Sequence, residues 1–363
     1  MVEITGTAQR EAWREGVLPP VEEVRPGLWS IPVPIPDSPL RYVLIHLLAD
    51  EHGLLVIDAG WDHEDAWSAL TAGIVGTGHA LTDVSGIVVT HMHPDHFGLA
   101  PRLREVSDAW IGMHPADAAL VLEQSPEQVA AARADAVAQL VAAGAPDALL
   151  VGAGTIPMER LPLDHGVDRE LLDGDTLRIV GSELTVVHTP GHTPGHICLF
   201  DDRRRLFFSG DHVLPRISPH IAVIPGQQVD PLGEYLASLR KVAAFDPDEV
   251  LPAHEYRFRG LGRRARELVG HHEERLDELL AAIQSLPAPT ATEVCDQLTW
   301  SRPILRMAPH LRRMALRETI AHLVVLERRG LVRAQPGDPE RWFATSASKT
   351  TTEPTHLEAG APR

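Results

Sequence analysis

The stretch Ile87-Val88-Val89-Thr90-His91-Met92-His93-Pro94-Asp95-His96-Phe97-Gly98 constrains this chain more than any other part of it. The β-branched run at 87–90 predicts a buried strand, and the Pro and Gly that follow predict a sharp exit into a loop. His91, His93, Asp95 and His96 therefore fall at a strand end. There a tight turn lets alternate and adjacent side chains converge, and imidazole nitrogen with carboxylate oxygen suits zinc, iron or manganese. The chain holds 20 His in 363 residues, so accidental clustering is the competing explanation. Three His and one Asp at fixed offsets behind a strand is too specific a pattern for that to prevail.

Three later segments repeat the theme. Thr189-Pro190-Gly191-His192-Thr193-Pro194-Gly195-His196 doubles a Thr-Pro-Gly-His unit between strand-like runs at 184–188 and 197–200. Pro and Gly force a tight connection, which leaves room for one or two of His188, His192 and His196 to face a common cavity. The hydrophobic run ending Phe208-Ser209-Gly210-Asp211-His212 closes on a carboxylate, and Leu251-Pro252-Ala253-His254 closes on a histidine. Four separate strand ends thus each present an imidazole or a carboxylate, as ligands gathered along one edge of a sandwich would.

The remaining pattern supplies such a sandwich. Strand-like runs at 28–33, 42–48 and 54–58 predict an antiparallel meander, with a helix at 64–74 before the His91 strand. Helices are expected at 99–106, 115–122 and 126–143, the last two as a surface or lid pair, with a strand at 109–113 between the first two. A second group of strands follows at 176–180, 184–188, 197–200 and 205–209. Helices at 232–244 and 263–284 flank a strand at 249–251. Two sheets packed face to face under outer helices is the architecture this order favours, an α/β (α+β) fold of four layers, αββα.

Length favours one large domain and a small one. Leu286-Pro287-Ala288-Pro289-Thr290 reads as a linker. The expected division is an N-terminal segment 1–24, a catalytic domain 25–285, a winged-helix-like domain 286–345 and a disordered tail 346–363. No apolar run reaches the roughly 20 residues of a bilayer span, and residues 1–20 hold no apolar core of a secretory signal, so a cytoplasmic, membrane-free protein is expected. The formal charge of −17 argues against a general nucleic-acid coat. Residues 301–345 depart from this, with nine Arg against four acids. Cys198 and Cys295 stand far apart and read as buried small residues rather than as a disulfide.

Taken in order, the four clusters resemble the metallo-β-lactamase-fold hydrolases over roughly residues 25–260, and the 286–345 segment resembles the winged-helix extension of one branch of that family. The resemblance implies that His91, His93 and His192 hold a first metal, that Asp95, His96 and His254 hold a second, and that Asp211 bridges both. It implies two divalent ions, zinc before iron or manganese, and hydrolysis by a metal-bridging hydroxide that Asp95 orients as the catalytic acid-base group. Asp58 would orient a ligand rather than bind metal, with strand capping as the plain alternative. His188 and His196 read as hydrogen-bonding or core residues, His114, His165 and His212 carry weaker signals still, and His220 is a candidate pocket residue.

The superfamily serves thioesters, lactones, β-lactams, phosphodiesters and RNA, so the fold does not decide the substrate. The acidic charge, the Pro/Gly-rich loop 214–228 and the helices at 115–143 favour a small-molecule ester, acyl-thioester or lactone. The basic 301–345 segment motivates the alternative, an endoribonuclease or other phosphodiesterase. Arg312, Arg313 and Arg317 would equally serve packing against the first domain or a second copy in a homo-oligomer, which leaves nucleic acid the less expected partner.

Overall fold

The computed structural model describes residues 2–50, 52–121, 125–152, 166–225 and 230–345. His165, residues 226–228 of the expected loop and the expected tail 346–363 lie outside the described residues.

Alternating apolar residues build two seven-stranded sheets. In the first, Glu22–Arg25, Leu28–Pro34, Tyr42–Asp50 and Gly53–Ile57 run antiparallel in chain order, and Val84–Val88, Trp110–Met113 and Arg169–Glu170 continue the sheet in parallel. The second sheet holds, in spatial order, Glu3–Ile4, Phe258–Arg259, Glu249–Pro252, Leu206–Gly210, Ile197–Asp201, Ser182–His188 and Thr176–Ile179. Leu28, Leu48, Leu55, Ile57 and Val88 of one sheet pack on Leu184, Val186, Leu199, Phe208 and Leu251 of the other. Each such side chain, fully withdrawn from water, contributes about 1.5–3 kcal/mol.

Helices cover both outer faces. Glu64–Gly76 and Ala100–Ser107 bury Leu70, Ile74 and Leu103 against the first sheet. Pro231–Val242 and the long helix Leu261–Ser285 bury Tyr235, Leu239, Leu268 and Leu276 against Phe207 and Val250 of the second. The result is the four-layer αββα sandwich that the pattern of elements favoured. Beyond it, Ala291–Gln297, Pro309–Arg328 and an antiparallel pair, Val332–Gln335 with Arg341–Ala344, share the second outer core through Leu316, Leu323 and Trp342.

The first 24 residues do more than lead in. Glu3–Ile4 adds an edge strand to Phe258–Arg259, and helix Thr7–Glu15 places the buried Gln9 amide between the Arg257 N–H, at 3.0 Å, and the Ser30 hydroxyl, at 3.2 Å. A polar side chain is buried there because both ends of its amide are paired. Both cysteines are free and buried.

Candidate metal centre

The strands deliver the chemistry-bearing residues to one edge of the sandwich. Asp58 follows Gly53–Ile57, His91 to His96 follow Val84–Val88, Asp211 directly follows Leu206–Gly210, and His254 lies two residues beyond Glu249–Pro252. The edge is laced by backbone hydrogen bonds, Asp58 N to Val88 O, Ile197 N to Thr90 O and Leu44 N to Ala253 O. Asp95 and His96 share a single helical turn, Pro94–Phe97, whose Pro is preset for a helix start. Those two adjacent side chains consequently reach the same space.

The doubled Pro-Gly has a steric explanation. Gly191 sits at φ +137°, and a Cβ on it would lie 2.4 Å from the Tyr235 Cβ. A Cβ on Gly195 would meet Asp117 at 2.5 Å. Both glycines let backbone close on a neighbouring side chain, which turns the intervening His192 toward the edge.

Three clusters result, with donor atoms inside each lying within 4.8 Å of one another: His91, His93 and His192; His91, His96 and Asp211; and Asp95, His96 and His254. Asp211 stands between them. Its Oδ2 lies 3.5 Å from His192 Nε2, and its Oδ1 lies 3.6 Å from His96 Nε2 and 3.2 Å from His254 Nε2. Asp95 Oδ2 approaches His254 Nε2 at 3.4 Å and His96 Nε2 at 3.7 Å. His91 Nε2 and His93 Nδ1 are 3.0 Å apart.

The outer nitrogens are pinned. His96 Nδ1 bonds Asp58 Oδ2 at 2.8 Å, His192 Nδ1 bonds the His220 carbonyl at 2.9 Å, and His254 Nδ1 bonds the Tyr42 carbonyl at 2.9 Å. Each acceptor calls for a proton on Nδ1, which leaves each Nε2 facing inward. His96 Nε2, His192 Nε2, His254 Nε2 and Asp211 Oδ1 are buried, and among the described residues none has a hydrogen-bond partner. Buried polar atoms left so are costly, and divalent cations are the group this N/O donor set fits.

Electrostatics point the same way. Burial, and then the neighbouring imidazoles, hold His91 well below its ordinary pKa and His93 down to about 3. Burial would lower His96 too, but Asp58, Asp95 and Asp211 outweigh it and raise it to about 9. Burial would raise Asp95, yet His96 and His254 bring it down to about 2. The carboxylates are therefore anionic at neutral pH and the centre attracts cations.

Asp58 spans two segments of this edge. While one oxygen holds His96, the other accepts from Thr90 N at 2.8 Å and the Thr90 hydroxyl at 2.9 Å, which caps the His91 strand. Asp58→Asn is expected to weaken metal loading about 10–100-fold, read by competition with a chromophoric chelator, with little change in secondary structure.

The other histidines sit apart from these clusters. His196 Nε2 accepts from Asp211 N at 3.1 Å and its Nδ1 pairs with the Thr189 hydroxyl at 2.8 Å, so both nitrogens are occupied. His188 bonds the Pro194 carbonyl and stacks on His114, ring centroids 4.0 Å apart. His212 packs edge-on against Tyr235. The His220 carbonyl steadies His192, and the residue also lines a cavity beside helix Pro309–Arg328.

One residue at this edge escaped the sequence reading. Asp117 is fully buried and accepts from Met92 N at 2.9 Å, the Thr193 hydroxyl at 2.7 Å and Gly195 N. It joins the loop bearing His91 and His93 to the loop bearing His192. In sequence it is only an acid in the first turn of Pro115–Val121, where acids are common at any helix start.

Comparison with known proteins agrees with this geometry. The family model of the metallo-beta-lactamase superfamily matches residues 39–254. The chain belongs to that superfamily. A hydroxyacylglutathione hydrolase of Cereibacter sphaeroides is 30% identical over 224 residues, which are 60% of this chain and 68% of that protein. Two solved structures are similar over most of both chains. A metallo-beta-lactamase family protein of Thermus thermophilus is 28% identical with a TM-score of 0.75, covering 89% of this chain and 100% of the other. A beta-lactamase domain protein of Burkholderia ambifaria is 27% identical with a TM-score of 0.76, covering 95% and 97%. The superfamily's members include hydrolases, and this chain is a metallo-hydrolase. Among the described residues no helix is long and apolar enough to cross a membrane.

Proposed function

We propose that the chain hydrolyses a small acyl-thioester, ester or lactone with two divalent ions, zinc first. In this reading His91, His93 and His192 hold one, Asp95, His96 and His254 hold the other, and Asp211 serves both. The observation that carries it is the split of the Asp211 carboxylate, one oxygen toward His192 and the other toward His96 and His254. Held by these residues, divalent ions would supply a Lewis acid for the substrate's carbonyl and a water acidic enough to lose a proton near neutral pH. The water oxygen bonds to the acyl carbon, the bond to the leaving sulfur or oxygen breaks, and Asp95 carries the proton to the leaving group. Asp95 suits this task because its side chain is 13% exposed, while those of His96 and His254 are wholly buried.

Support for the thioester reading comes from the hydroxyacylglutathione hydrolase among the relatives. The phosphodiesterase alternative needs a free basic surface at 301–345. Much of that charge is engaged within the chain: Arg312 with Asp296, Arg328 with Asp230, Arg329 with Glu273 and Arg341 with Glu293. We assign the segment 286–345, as a winged-helix-like module, to packing on the catalytic part rather than to nucleic acid. The boundaries 25–285 and 286–345 are kept as part of this proposal.

The test is metal content followed by a panel of acyl-thioesters, lactones and RNA on one preparation. Near two equivalents of metal with thioester or lactone turnover is the expected result. Turnover of RNA alone, falling steeply with salt, would replace this reading with the nuclease.

A further inference from the structure

The residue that steadies His192 also walls off a second space. The His220 ring bonds the Met314 carbonyl at 3.0 Å, and beyond it lies a cavity of about 620 Å³. The loops at 37–39 and 218–220 form one side, and Trp300 with helix Pro309–Arg328 forms the other. Trp300, Met307, Leu311 and Ala315 supply its apolar surface, and Ser38, Ser218 and Ser301 line it as well. Arg302 and His310 line the cavity too, but both are exposed, so they belong to its mouth.

Two acids line the cavity, the exposed Asp37 and the partly buried Glu318. The Glu318 carboxylate makes no ion pair or hydrogen bond among the described residues. Burial pushes its pKa up to about 7, and the Arg275 charge draws it back only in part. An unpartnered carboxylate beside apolar side chains is a receptor for a donor that arrives on an apolar stem.

We propose that this cavity binds a short alkyl amine or an alkyl chain ending in one, with the carbons against Met307, Leu311 and Trp300 and the nitrogen on Glu318. The nitrogen donates its N–H groups to a carboxylate otherwise left without a partner. An anion entering the same chamber would meet Glu318 and be repelled, and a plain alkyl chain would leave that group unpaired. His220 borders both sites, so an acyl or leaving-group arm ending in an amine, running past His220, would join them. Only this last step rests on the hydrolase reading.

The binding arm uses n-hexylamine, hexan-1-ol and hexanoate, titrated calorimetrically into the full metal-loaded chain at mildly alkaline pH. The amine is expected to bind about tenfold or more tightly than either of the others, which is the worth of one charge-assisted hydrogen bond. Glu318→Gln should remove that advantage, and Ala315→Trp, which fills the chamber by a different route, should remove binding altogether. Equal binding of the three compounds overturns the site. So does amine binding unchanged in both variants, which would place the amine on a metal. The kinetic arm compares thioesters whose acyl chains end in an amine or in a methyl group. A lower KM for the amine, lost in Glu318→Gln at unchanged kcat, supports the use of the site for substrate. Equal KM values overturn that use. Should no thioester turn over, the hydrolase reading fails while the binding arm still decides the site.

Discussion

Asp211→Ala is expected to lose metal from both clusters and to abolish hydrolysis, whereas His192→Ala should empty chiefly the cluster to which His192 belongs. The reasoning is geometric. Asp211 turns its two oxygens to different groups of imidazoles, 3.5 Å from His192 and 3.2 Å from His254. Taking away one partner of a buried, hydrogen-bonded charge set costs about 3–5 kcal/mol, so metal affinity should fall about a hundredfold to several-thousandfold. Metal content after dialysis against a weak chelator measures this, with turnover on the same sample. Asp211→Ala protein that keeps two equivalents of metal and half its activity would remove Asp211 from the bridging position.

Much of this centre could be read from the chain because its donors come in short local groups at strand ends. The strand at Val84–Val88 and the turn Pro94–Phe97 gather four donors within six residues, and Pro-Gly pairs mark the His192 loop. Patterns of that range survive in sequence. The Tyr42 carbonyl that pins His254 does not, since any residue offers a carbonyl and the two are 212 positions apart. The same holds for the two-residue strand Glu3–Ile4, whose partner, Phe258–Arg259, is its neighbour in the sheet but far from it in sequence. Two residues carry no periodicity, and pairing across such a separation is fixed only once both sheets are formed. The helix Thr7–Glu15 was hidden for another reason: its buried Gln9 is polar and looks like a surface residue until its partners Arg257 and Ser30 are in place.

Asp117 is the strongest case of a residue whose importance lies in long-range partners, and Asp117→Ala is expected to have the second large effect. The substitution would strand two backbone N–H groups, those of Met92 and Gly195, in a site closed to water, and would take the Asp117 contact from the Thr193 hydroxyl. Each buried donor left unpaired costs about 1–3 kcal/mol, so the loss should reach about 2 kcal/mol or more. Urea denaturation of the metal-free protein measures it without interference from ligand binding. Burial holds the Asp117 carboxyl above its ordinary pKa against the pull of those donors. Asp117→Asn keeps a carbonyl acceptor while removing the charge, and it should recover part of the stability. Met92 stands between His91 and His93, and Thr193 directly follows His192, so slackening this clamp should also let the two loops drift apart. Metal affinity would then fall in the alanine variant although no donor of the three clusters has been touched. A variant as stable as the parent and as tight for metal would show that the loops are held by their own turns, and that the carboxylate merely fills the space between them.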